Sequence, residues 1–300
     1  MIFWLTDAVA ENKVLGSPTD RSCPMLIETG ASTRLATFGV VAAIFAAAFA
    51  VPAQAATMQD GIKAYKPYIV EHIGQAIAGA KEMQTAVKAG DVKSAQAAWI
   101  KSRRGWEAME PVTASYFGDL DKLVDAWPDG KTGYHAIEVV LFSANKTEGL
   151  DKPIADLLAN MDAFEKRVKA PKFAFTAQKL LEGTANLAYE VGEEKSGGGE
   201  SPYAATSIVD MQENVAGIEF AWNTVFADTL RKKDAKLAGI IDERTQNLKK
   251  LVGVADIKSM DAKKVHVAGE ELAALMLTAA PKLGLKPFKV GDEDDEKKKD

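Results

Sequence analysis

Ile208-Val209-Asp210-Met211-Gln212-Glu213-Asn214-Val215-Ala216-Gly217-Ile218-Glu219-Phe220-Ala221-Trp222 is the stretch that decides the fold class. Its large apolar residues recur at alternating spacings of three and four, the period of an α-helix with one face turned to a core. A helix of this kind needs neighbours to cover that face. The same period extends outward in both directions, and strand-like alternation is nearly absent. It predicts helices over 60–88, 91–114, 132–145, 151–169, 173–192, 208–232, 233–252 and 260–279. The expectation is an all-α fold of two packed antiparallel four-helix bundles, without a visible sequence repeat.

Turn chemistry supplies the breaks. Ala89-Gly90-Asp91 gives a glycine stop followed by an N-cap. Pro111 is expected to end or kink the second helix near Glu110, and Trp127-Pro128-Asp129-Gly130 to turn the chain before a helix that Thr132 caps. Glu193-Glu194-Lys195-Ser196-Gly197-Gly198-Gly199-Glu200-Ser201-Pro202 contains no apolar residue and reads as a flexible loop between two helices.

The first 55 residues read as a removed leader. Arg34 gives the positive start, Leu35 to Val51 an apolar run at the lower limit for a membrane anchor, and Ala53-Gln54-Ala55 a signal-peptidase motif, with cleavage after Ala55. Met25 would begin a leader of ordinary length. Residues 56–290 then form the helical domain, and 291–300 a solvated charged tail. The only cysteine, Cys23, falls in the leader, so the exported chain has no disulfide, zinc-thiolate site, iron–sulfur cluster or cysteine nucleophile. Residues 56–300 carry 34 Lys+Arg and 38 Asp+Glu with no basic stripe, which argues against nucleic acid as a partner.

The chemistry centres on Gly133-Tyr134-His135-Ala136-Ile137-Glu138. On a helix, positions i and i+3 share a face with Cβ atoms roughly 5–6 Å apart, so His135 and Glu138 can converge on one ion. The competing reading is a partly buried histidine bonded to a backbone group. Phe117-Gly118-Asp119-Leu120-Asp121 and Asp125 form an acid-rich segment, non-helical or short-helical, whose aspartates serve as caps and turn formers or face the histidine helix. Such an oxygen-rich site with one imidazole favours iron, manganese or zinc, and ferric iron in particular. Trp99 and Trp106 share a face and read as core, Arg103 and Arg104 with Glu107 as a surface ion pair, and His266 with Glu270 as another. Signatures of zinc peptidases, serine hydrolases, P-loops and dinucleotide sites are missing.

Taken in order, Trp106-Glu107-x-x-Glu110-Pro111, Phe117-Gly118-Asp119-Leu120-Asp121, Gly133-Tyr134-His135-x-x-Glu138, Tyr189-Glu190-Val191 and Gln212-x-Asn214-Val215-x-Gly217 resemble the imelysin-like (EfeO/EfeM-type) family of periplasmic iron-uptake proteins. The resemblance covers about 60–285. It implies an all-helical, periplasmic, monomeric protein that binds ferric or ferrous iron, or zinc or another divalent metal. It further implies delivery of the iron to an inner-membrane permease, with a periplasmic peroxidase as second partner. The metal ligands it implies are His135 and Glu138, joined by Glu107, Asp121 and Glu190. The segment Tyr203-Ala204-Ala205-Thr206-Ser207 departs from the Tyr-Ser-His-Thr-Asp of many relatives. The alternatives are an imelysin-type metallopeptidase and a carrier of haem or anionic polysaccharide.

Overall fold

A computed structural model describes residues 57–125 and 131–291. The expected leader and its cleavage site, the turn at 127–130 and the tail beyond Gly291 lie outside the described residues.

Helix α1 (Met58–Lys88) starts with Thr57 and Asp60 capping each other's backbone, and buries Tyr65, Ile69, Ile73, Ala76, Ala80 and Met83 on one stripe. Asp91 caps α2 (Val92–Glu107) as the sequence predicts, accepting from the Ser94 amide at 3.0 Å. The next break differs from expectation. α2 ends at Glu107, and Pro111 does not end a helix but lies in the first turn of α3 (Glu110–Val124). Proline is tolerated there because the first amides of a helix have no intrahelical partner. The acid-rich segment, expected as non-helical or short-helical, is part of this helix, kinked at Phe117 (φ −137°, ψ 30°).

Helix α4 (Gly133–Glu138) runs straight into a π-helical turn, Val139–Ser143. Thr132 occupies its N-cap position without the expected side-chain hydrogen bond. Gly133 shapes this entry instead: its φ is +68°, and a Cβ there would stand 2.1 Å from the Val124 carbonyl oxygen. α5 (Asp151–Lys169) and α6 (Ala177–Glu193) follow, the latter capped by Thr176. Past the segment 194–206, the deciding stretch forms α7 (Ser207–Ala221), which passes through a π-helical turn, Trp222–Phe226, into α8 (Ala227–Lys233). α9 (Ala235–Val252) and α10 (Ala262–Leu283) complete the described α-helices, capped by Asp234 and Asp261.

There is no strand among the described residues, and the fold is all-α. α1 packs on α2 and α5, α10 on α6 and α9, and α7 on α6 and α9, while α3 reaches α5, α6 and α7. One continuous apolar core results, with Trp99, Trp106 and Trp222 fully buried in it. Among the described residues no helix is long and apolar enough to cross a membrane.

Candidate metal centre

Polar residues enter this core at the place where α2, α3, α4 and α7 approach one another. Arg103 is 1% exposed and Glu107 is fully buried, with Arg103 Nη2 to Glu107 Oε1 at 2.8 Å. The expected surface ion pair is thus a core ion pair, because Arg103 falls on the same stripe as Trp99 and Trp106. The guanidinium stands over the rings of Trp99 and Tyr134 at 5.7 and 5.6 Å. It also donates to Asp125 at the end of α3, donates through Nε to Asp210 of α7 at 3.1 Å, and lies 3.8 Å from Glu200.

His135 and Glu138 are both buried and lie together, as their spacing predicts. His135 Nδ1 donates to Glu138 Oε2 at 2.8 Å, and its Nε2 lies 3.3 Å from Asp125 Oδ1. The other oxygen of Glu138 accepts from the backbone amides of Tyr203 and Ala204 at 2.9 and 2.8 Å. Burial and the Arg103 charge pull the His135 imidazole down, but hydrogen bonds to Asp125 and Glu138 more than reverse them and hold it at about 9. At neutral pH it is an imidazolium between two carboxylates. The reading of a histidine bonded to backbone is not what the structure has.

The stretch 193–202, read as a flexible loop, leaves α6 at Glu193 and inserts into the same place. Lys195 is 4% exposed and its Nζ lies 2.7 Å from Glu110, 3.1 Å from Glu200 and 3.9 Å from Glu107. Ser201 is fully buried and donates to Asp210. Polar contacts hold this segment where apolar ones are lacking, which composition alone does not reveal. Asn214 of α7 donates to Glu107 Oε2 at 2.8 Å and to Glu110.

Glu107, Glu110 and Asp125 each present a carboxylate oxygen such that all three lie within 4.8 Å of one another. Glu110 and Asp125 were quoted in the sequence motifs but not singled out as ligands. Of the remaining expected residues, Asp121 and Glu190 are half-buried and lie outside this triad, and the Glu190 charge adds to the upward pull on Glu110. Burial raises Asp121 to about 7, with the Asp125 charge adding to it.

The electrostatics show a centre rich in carboxylates and short of positive charge. Burial pushes Glu107 up to about 7 against the pull of Arg103 and Lys195, and carries Glu110 well above its ordinary range. Burial would raise Asp125 too, but the Arg103 guanidinium and the His135 hydrogen bond take it well below the usual carboxylate range. Asn214 Oδ1 is buried without a donor among the described residues. Hard oxygen donors, carboxyl groups that retain protons and an unpaired buried acceptor fit a hard cation.

The residues missed by sequence reasoning were legible in part. Arg103, Asp210 and Asn214 each fall on a buried helical stripe, four residues after Trp99, three after Ser207 and three after Met211 respectively. Lys195 and Glu200 carry no such signal.

The chain matches the family model described as Imelysin (Peptidase M75) over residues 61–132 and 131–275. It is 31% identical over 169 residues to the iron uptake system component EfeO of Escherichia coli O1:K1, and 30% identical to that of Escherichia coli K12 and of Shigella flexneri. Each alignment covers 54% of this chain and 44% of the relative, so the matched region spans less than half the length of these curated relatives. A solved structure from Parabacteroides distasonis, provisionally assigned as an iron-regulated protein A precursor, superposes with a TM-score of 0.61 at 14% identity. The superposition covers 77% of this chain and 97% of that one and bears on the fold alone. The family model spans most of the described helices, and the chain belongs to the imelysin family.

Proposed function

We propose that this protein is an iron-binding component of an uptake system, exported to the periplasm, which takes up iron at the buried carboxylate centre and hands it to a membrane permease. The observation that carries this reading is the convergence of Glu107, Glu110 and Asp125 oxygens inside a helical core. The names of the EfeO relatives supply the uptake context. Iron is cargo here, and the protein acts as a carrier rather than an enzyme.

In this reading Glu107, Glu110 and Asp125 are the innermost ligands, His135 completes the set from beside Asp125, and Glu138 holds His135 in place. Glu190 adds negative charge at the edge. Entry of the cation releases protons from Glu107, Glu110 and His135, since metal ligands must be deprotonated. It also moves Lys195 aside. A lysine is suited to such a temporary counter-ion, being a point charge on a flexible stem, whereas the Arg103 fork stays with Asp125 and Asp210.

The test is equilibrium binding of ferric citrate to the full chain. Asp125→Asn and Glu110→Gln are expected to abolish tight binding, and His135→Ala to weaken it strongly with helix content retained. Unchanged iron binding in Asp125→Asn and Glu110→Gln would overturn the reading. Metal-dependent peptide cleavage by the unmutated protein, lost in Asp125→Asn, would replace it with a metallopeptidase.

A further inference from the structure

Glu193 at the end of α6 meets His266 and Glu270 from the first turns of α10. His266 Nε2 lies 3.8 Å from Glu193 Oε1 and 3.6 Å from Glu270 Oε2, and one donor atom from each of the three residues falls within 4.8 Å of the others. These separations exceed hydrogen-bond range, so the groups face one another without closing a bond. They are close to the edge of a coordination tetrahedron, about 3.4 Å when metal–ligand bonds are about 2.0–2.1 Å.

The backbone beneath is held close and stiff. A Cβ on Gly269 would stand 2.5 Å from the Ala188 carbonyl oxygen, and one on Gly192 would stand 2.8 Å from that of His266. α6 and α10 therefore approach closely, backbone against backbone, beside the three side chains, and His266 and Glu270 share a face one turn apart. Beside them is an open hollow lined by Ser196, Ala262, Lys263, His266 and Val267.

We propose that Glu193, His266 and Glu270 form a second metal site, for a divalent first-row transition ion, with the remaining coordination positions open to water on the hollow side. One imidazole and two carboxylates on rigid helices match the donor preferences of zinc and its neighbours rather than of calcium or copper(I). The site is independent of the iron reading. It does bear on the buried centre by position, because Glu193 is two residues before Lys195, where the chain leaves α6 for that centre.

The test is titration of the metal-free full chain with Co2+, followed by its visible absorption, and with Zn2+ by calorimetry. The expected result is one equivalent of bound ion that is lost in His266→Ala, weakened by more than the roughly 10–100-fold typical of outer-shell changes in Glu270→Gln and Glu193→Gln, and kept in Asp125→Asn. All three positions are partly or well exposed, and circular dichroism checks that helix content is unchanged. Binding at full strength in His266→Ala, binding that vanishes only in Asp125→Asn, or no binding of either ion to the unmutated chain would each overturn the proposal.

Discussion

Arg103 occupies a core position that its neighbours Trp99 and Trp106 would assign to an apolar side chain, and it remains charged because Glu107, Asp125 and Asp210 surround it. Arg103→Leu leaves those carboxylates buried without their counter-ion, so the loss is expected to be about 3–5 kcal/mol in urea unfolding of the metal-free protein. A loss below about 1 kcal/mol would mean that the pair behaves as an exposed one. The same cluster sets a pH dependence. A group whose folded pKa is raised holds its proton more tightly folded than unfolded, so its contribution is full below the unfolded pKa and lost as pH rises through the folded one. His135 at about 9 and Glu107 and Asp121 at about 7 all act in that direction. Asp125, held low, acts oppositely and only in acid. The metal-free protein should therefore lose stability between about pH 5 and pH 9, and His135→Gln should flatten the upper part of that fall. A stability curve rising over this interval would contradict the assigned proton positions.

Among elements, α4 is the shortest α-helix described and the one that presents His135 and Glu138. Its entry depends on Gly133 in the left-handed region against the Val124 carbonyl, so Gly133→Ala should destabilise the protein by at least about 1–3 kcal/mol and weaken iron binding together. Weakened stability with unaltered binding would show that the α3–α4 junction does not position the histidine. The helices themselves were legible because each apolar stripe has the helical period, and because Asp91 marks a start in the sequence itself. Pro111 was legible as a break but not as the start of α3, since proline both stops a helix and suits its first turn. His135 beside Glu138 could be read from spacing alone, whereas the meeting of His135 with Asp125 and of Glu110 with Lys195 depends on tertiary packing of separate elements. The segment 194–206 was least legible, because its anchoring is by ion pairs and backbone amides that no local pattern announces.

For the molecule as a whole, residues 56–300 contain no cysteine, so the helical core and whatever it binds must supply the stability of that part of the chain. A cation bound only by the folded state adds RT ln(1 + [L]/Kd), about 2.7 kcal/mol at a hundredfold excess over Kd. For a domain of this size that corresponds to a rise in Tm of about 5–10 °C. Ferric citrate should produce such a rise in the unmutated protein and not in Asp125→Asn, while citrate alone should produce none. His266→Ala should keep the full iron-dependent rise, because its side chain lies at the α6–α10 surface and not among the buried carboxylates. If the iron-dependent rise disappears in His266→Ala and persists in Asp125→Asn, the stabilising iron sits at the surface cluster. The buried carboxylates with Arg103 and Lys195 are then a structural ion-pair network that carries no cargo.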